Sequence, residues 1–170
     1  MDGAISVTKC SRCKLPSIVH QPYSGQHLCG RHLSDSVRRR TSRELRRQLI
    51  LPKDARKEDG SPFVVLVAVS GGKDSAVLLT MINDIIGSRR DIRIVAGCVD
   101  EGIDGYRSPS LECARDLSED LGVDFVTLSY EEMGYDRMDK VVSKIPGMGE
   151  LHDEASGMMP CSFCGVFRRQ

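Results

Sequence analysis

No apolar run in this sequence approaches the roughly 18 residues that a membrane-spanning helix needs. The longest, Phe63 to Val69, is only strand length. Met1 to Lys9 lacks the basic-then-apolar layout of a secretory leader, so the expected setting is cytoplasmic. Net charge is lacking too: 24 Lys and Arg balance 24 Asp and Glu. At face value that argues against a nucleic-acid binder. Neither G-x-x-x-x-G-K-[ST] nor G-x-G-x-x-G occurs, which disfavours the nucleotide families built on those loops. No internal repeat or low-complexity tract is visible. The cysteines number seven, so they cannot all pair. A disulfide framework is therefore a poor explanation for them, and metal binding or catalysis a better one. What the chain does have is 170 residues and 40% hydrophobic content, enough for a real core.

The zero net charge is a sum of unequal parts. Residues 38 to 57 hold nine basic side chains against Glu44 and Asp54, a net of +7. Residues 91 to 154 hold sixteen acids against six bases, a net of −10. Steering depends on this local distribution and not on the total.

Composition divides the chain into three parts. Residues 1–34 hold three cysteines and three of the four histidines, with little apolar periodicity. Residues 35–61 read as a basic helix and a linker. Ser34, Asp35 or Ser36 can cap the helix and Pro52 should stop it. From residue 62 the pattern alternates strand and helix. Phe63 to Val69 is apolar throughout, as a strand buried on both faces should be. Ser75 to Ile86 reads as a helix, Ile92 to Val99 as a strand, and Ser108 to Leu121 as a helix closed by Gly122. Val123 to Leu128 reads as a third strand, followed by a weaker helical pattern over 131–144. The alternation predicts an α/β domain with right-handed crossovers and a parallel sheet.

Ser70-Gly71-Gly72-Lys73-Asp74-Ser75 joins the first of these strands to the first of these helices. Two glycines let backbone N–H groups come close to an anion. The helix that follows offers its N-terminal N–H groups and positive dipole end at the same point. Lys73 adds a point charge, and Ser70 and Ser75 add hydroxyl donors. This is a phosphate cradle. Asp100 follows the second strand and should lie on the same sheet edge, within reach of ribose, adenine or Mg²⁺.

Cys10-x-x-Cys13, fifteen residues, then Cys29-x-x-His32 has zinc-knuckle spacing: two chelating pairs give four ligands for a tetrahedral structural Zn²⁺. With so few apolar residues, this segment should need the metal to fold. Cys161-x-x-Cys164 is a second pair, readable as a redox dithiol, half of another zinc site, or iron–sulfur ligands. Cys98, in an apolar strand, and Cys113, in a helix, read as packing residues.

The loop resembles the pyrophosphate loop (PP-loop) of the N-type ATP pyrophosphatases. The knuckle, Ser-Gly-Gly-Lys-Asp-Ser, Asp-Glu-Gly-Ile-x-Gly-Tyr-Arg (100–107) and Pro-Cys-x-x-Cys-Gly-Val-x-Arg-Arg (160–169) occur in one order. Together they resemble the tRNA 2-thiouridine synthetases, from Cys10 to Arg169. The resemblance implies an adenine-nucleotide α-hydrolase-like fold behind a zinc knuckle. It implies that ATP and Mg²⁺ bind at Ser70, Gly71, Gly72, Lys73, Asp74 and Ser75. A tRNA uridine would be adenylated at its C2 oxygen, pyrophosphate released, and sulfur then inserted, with Lys73, Asp74, Cys161 and Cys164 in the reacting site. Cys161 and Cys164 would match two of three ligands to a [4Fe–4S] cluster, or act as persulfide carriers. The sulfur donor would be a ubiquitin-like thiocarboxylate carrier or free sulfide. Arg39, Arg43 and Arg46 would meet tRNA phosphates.

The family's third cluster cysteine, remaining strands and second knuckle lie downstream of the C-x-x-C. The expectation is therefore the N-terminal part of a roughly twice-longer enzyme, with a homodimer or a missing C-terminal half as candidate partners. Two rivals differ in class. A non-catalytic zinc- and ATP-binding module is one. A lysidine synthetase or amidotransferase-type synthetase is the other, and leaves both the knuckle and the second C-x-x-C unexplained.

Overall fold

The structure, a computed structural model, describes residues 8–103 and 107–143. The chain divides into two compact units, Met1–Asp54 and Ala55–Gln170. In the first, β1 (Val19–Gln21) and β2 (Gln26–Leu28) form an antiparallel hairpin, followed by α1 (Gly30–Gln48). Its core is very small: Cys10, Leu28 and Cys29 are buried, with Cys13, Val19 and Leu33 packed against them. Half of that cluster is cysteine, so the apolar contribution alone is slight.

The basic helix starts earlier than Ser34–Ser36 suggests. Its N-cap is Cys29, and no side chain hydrogen-bonds the cap position. The reason is the ligand spacing: Cys29 and His32, three apart, come onto one side only if the intervening residues already make a helical turn.

The second unit opens with β3 (Phe63–Ala68) and continues through α2 (Lys73–Ile86), β4 (Ile92–Asp100), α3 (Arg107–Asp120), β5 (Asp124–Ser129) and α4 (Met138–Ser143). β3, β4 and β5 form a parallel sheet in that order, with β4 between the others. Strands added in one direction by right-handed crossovers put α2 and α3 on the same face. Side-chain alternation follows. Val67, Ile94, Ala96 and Cys98 are buried beneath Leu79, Ile82 and Ala114. On the other face Val64, Leu66, Val126 and Leu128 are exposed, so β3 is not buried on both faces as its continuous apolarity predicts. Fully burying a residue such as Leu79 contributes about 2 kcal/mol.

The end of α3 is set by Gly122, at φ +64°. Its N–H donates to the Glu119 carbonyl at 3.0 Å, and the Val123 N–H donates to Ser118 at 2.8 Å. That is the Schellman pattern expected for a glycine just past a helix. The expected helix over 131–144 shrinks to Met138–Ser143. Gly134, at φ +84°, interrupts the earlier part with a turn.

Candidate metal centre and phosphate loop

The hairpin and the first turn of α1 bring Cys10, Cys13, Cys29 and His32 together. Their ligand atoms all lie within 4.8 Å of one another. Cys10 Sγ is 3.3 Å from His32 Nδ1, Cys29 Sγ is 3.4 Å from the same nitrogen, and Cys13 Sγ is 3.7 Å from Cys29 Sγ. Tetrahedral zinc with ordinary bond lengths requires ligand separations of about 3.6 Å for S···N and about 3.8 Å for S···S. The donor set and its spacing therefore fit Zn²⁺. His20 and His27 stand apart from it and stack on each other across the hairpin, ring centroids 4.4 Å apart.

Electrostatics favour thiolate at one corner. Burial raises the Cys10 thiol, but the backbone N–H groups of Arg12, Cys29 and Cys13, with the His32 side chain, outweigh it and lower it to about 6. Cys13 goes the other way. The Leu15 backbone N–H lowers it, yet burial and the neighbouring Cys10 and Cys29 sulfurs together raise it. Clustered sulfurs resist a second negative charge until a cation is among them.

In the second unit the chain leaves β3 and turns through Ser70-Gly71-Gly72 into α2. Gly71 sits at φ +79°. A Cβ built there would lie 2.1 Å from the Ser110 carbonyl oxygen of α3. Only glycine satisfies both demands. Gly72 is the N-cap of α2. The two hydroxyls knit the turn: Ser75 Oγ donates to the Gly72 carbonyl at 2.9 Å and accepts from the Ser70 N–H at 3.2 Å. Lys73 and Asp74 are almost fully exposed, with Lys73 Nζ 3.7 Å from Asp74 Oδ1.

A cavity of about 180 Å³ adjoins the loop, lined by Gly71, Gly72, Lys73 and Ser75 on one side and by Cys113, Ala114 and Leu117 of α3 on the other. No local pattern around Cys113 places it there. Its helical position said only that α3 carries it, and the close approach of α3 to Gly71 is a tertiary fact. Asp100 ends β4 on the same carboxyl edge of the sheet as the loop, since Ala68 pairs with Gly97. Its Oδ1 accepts the Gly102 N–H at 2.9 Å, which shapes the following turn. Cys161 and Cys164 lie outside the described residues. Arg39, Arg43 and Arg46 are exposed on α1, and no carboxylate among the described residues pairs with them.

A knuckle whose four ligands fit a metal ion and a parallel α/β unit whose glycine loop is shaped to receive an anion define the class of protein. Comparison with known proteins narrows the class. Residues 9–34 match the family described as 2-thiouridine synthetase TtuA, N-terminal LIM domain. The chain is 38% identical to the tRNA 2-thiolation protein NcsA of Haloferax volcanii over 161 residues, 95% of this chain and 47% of that protein. It is 42% identical to the cytoplasmic tRNA 2-thiolation protein 1 of Drosophila pseudoobscura pseudoobscura over 108 residues, 62% of this chain and 28% of that protein. Its structure is similar to that of the U34-tRNA thiolase NcsA from Methanococcus maripaludis with its [4Fe-4S] cluster. The TM-score is 0.66 at 30% identity, covering 95% of this chain and 47% of that one. Over 95% of its length the chain is thus similar to NcsA-type tRNA 2-thiolation proteins. It spans about half the length of the NcsA relatives it matches.

Proposed function

We propose that this chain serves ATP-dependent 2-thiolation of a tRNA uridine. The observation that carries the reading is the glycine loop at the carboxyl end of β3, in a chain 38% identical to a tRNA 2-thiolation protein. ATP binds with its phosphates against the Gly71 and Gly72 backbone and the α2 N-terminus. Lys73 and Mg²⁺ offset the phosphate charge, and Ser70 and Ser75 fix the loop. Asp100 meets ribose, adenine or Mg²⁺ from the neighbouring strand end. The uridine C2 oxygen attacks the α-phosphate, and its bond to the leaving pyrophosphate breaks. A sulfur nucleophile then adds at C2, and AMP leaves with the original oxygen. Lys73 and Asp74 stand at the point where charge develops in the first step.

Cys161 and Cys164 are the proposed holders of an iron–sulfur cluster, whose contribution when bound is to present the incoming sulfur. Cys10, Cys13, Cys29 and His32 hold a structural Zn²⁺. Arg39, Arg43 and Arg46 contact tRNA phosphates. The working division is knuckle 1–34, basic helix and linker 35–61, and ATP-binding domain 62–170. The sulfur donor is a ubiquitin-like thiocarboxylate carrier or sulfide. The partner arrangement is a homodimer or a chain supplying the other half. The name of the Drosophila relative supports a cytoplasmic setting, and no helix among the described residues is long and apolar enough to cross a membrane.

The test is nucleotide product analysis of the chain with ATP, Mg²⁺, tRNA and sulfide. The expected products are AMP and pyrophosphate, formed only with tRNA, together with thiolated uridine. Cleavage to ADP and phosphate would refute the reading. The span of about half the relatives' length favours one second reading, a zinc- and ATP-binding module acting with another chain. ATP binding without any pyrophosphate release would favour it.

A further inference from the structure

The knuckle unit carries a feature that neither the metal centre nor the phosphate loop uses. The β1–β2 hairpin turns through Pro22-Tyr23-Ser24-Gly25, with Gly25 at φ +61° and the Ser24 N–H donating to Gln21 at 3.1 Å. At its tip Tyr23 is 62% exposed, an unusual place for a large ring in a unit so poor in apolar residues. The guanidinium carbon of Arg40, from α1, lies 4.5 Å from the centre of that ring. One face of Tyr23 is thus fixed by a cation, and much of the ring stays open to solvent.

The setting of this pair is chemical as well as geometric. Arg39, Arg43 and Arg46 form one stripe along α1, beside Arg40, at spacings of four and three residues. Arg47 is neutralised by Glu44 at 2.6 Å. No carboxylate among the described residues pairs with the stripe. A row of uncompensated guanidinium groups next to an open aromatic face combines the two elements that single-stranded nucleic-acid sites use: cations along the backbone and a ring on which a base stacks. A duplex offers phosphates to the stripe but no free base face to the ring.

We infer that Tyr23, held by Arg40, is a stacking platform for an unpaired RNA base whose flanking phosphates lie along Arg39, Arg43 and Arg46. This deepens the tRNA reading and rests on it. It makes Tyr23 and Arg40 selectors of unpaired over paired RNA, while the arginine stripe supplies sequence-blind affinity.

The sequence has no tryptophan, so Tyr23→Trp introduces a single reporter. The full chain, zinc-loaded, is titrated with a stem-loop RNA and with a blunt RNA duplex carrying the same number of phosphates. The Trp variant should keep its affinity for the stem-loop, and its emission should be quenched on binding it but not on binding the duplex. Tyr23→Ala should weaken stem-loop binding on the order of tenfold, leave the salt slope unchanged, and leave duplex binding unchanged. Arg40→Lys should weaken the stem-loop selectively as well, because the charge remains and the planar stack is lost. Zinc content and far-ultraviolet circular dichroism of each variant separate misfolding from lost contact. Equal loss for stem-loop and duplex, or no loss with Tyr23→Ala, overturns the platform and leaves the tRNA reading standing. No RNA binding by the unaltered chain at low salt overturns both.

Discussion

Replacing Gly71 with alanine should lower the melting temperature of the α/β unit, while the same change at Gly72 should hardly move it. At Gly71 the backbone is left-handed, φ +79°, which costs a residue with a Cβ about 1–2 kcal/mol. The new methyl would also lie 2.1 Å from a carbonyl oxygen of α3, when real Cβ contacts stay beyond 3.0 Å. That neighbour is backbone and cannot rotate away, so loop or helix must shift, at a further cost of about 1–3 kcal/mol. The sum, about 2–5 kcal/mol, corresponds to a drop of roughly 8–20 °C for a unit of this size. Gly72 differs on both counts. Its backbone is extended, φ −87° and ψ 164°, and the nearest atom to a new Cβ is Ser70 Oγ at 3.5 Å, an ordinary contact. The weaker N-cap preference of alanine is offset by the stiffer unfolded chain. Thermal denaturation followed by circular dichroism gives both values. Isothermal titration with MgATP should show weakened binding in both variants, in Gly72→Ala because a methyl group stands in the cradle. A melting temperature for Gly71→Ala within about 2 °C of the unaltered chain, on a slope of ~4 °C per kcal/mol, would refute the close approach of α3 to the loop.

Other outcomes follow from the same geometry. His32→Ala should abolish stoichiometric zinc, measured by plasma mass spectrometry, and lower the helicity of the first unit. Acidification should release the metal as protons compete for the sulfurs, followed as loss of zinc with falling pH. Asp91 accepts two hydrogen bonds from Arg89 and one from the Ala55 N–H, which hold its carboxyl well below the usual range. A depressed carboxylate stabilises above its unfolded value, about 3.9, and that contribution is lost as pH falls through the folded value. Asp91→Asn should therefore melt below the unaltered chain at neutral pH, and the gap should narrow in acid from about pH 4 downward. Joint replacement of Arg39, Arg43 and Arg46 by alanine should weaken tRNA binding and reduce the salt slope by about 0.7–0.9 per lost phosphate contact. An unchanged slope would remove these residues from the interface.

The α/β unit was legible because its signals are local. Phe63 to Ala68 is continuously apolar, and Ser-Gly-Gly-Lys-Asp-Ser falls at a strand-to-helix junction. Gly122 marks the end of α3. Each of these survives in the structure to within a residue or two. The metal ligands were legible for a similar reason, as two short chelating pairs. The hairpin was not. Val19-His20-Gln21 and Gln26-His27-Leu28 carry no strand alternation strong enough to read, and the fold around the ligands, not propensity, pairs them. The start of α1 was misplaced because Ser34 and Asp35 are better caps by type than Cys29, and tertiary ligation overrode type. Cys113 reads from sequence as a packing residue because its place beside the loop depends on how α3 packs, which no short-range pattern carries.

One feature of α1 sets how its arginines are held. The helix has no acidic residue in its first turn, and no side chain satisfies its leading N–H groups. Three thiolates on one Zn²⁺ leave a net charge of about −1. That charge would sit at the positive end of the helix dipole, where a capping aspartate or serine would ordinarily stand. The thiolate–zinc complex would then be more than a clasp for the knuckle: its net negative charge would be the counter-charge at the start of the helix. Its loss would fray α1 from the end nearest the hairpin, so zinc supply would set how firmly the basic arm is presented.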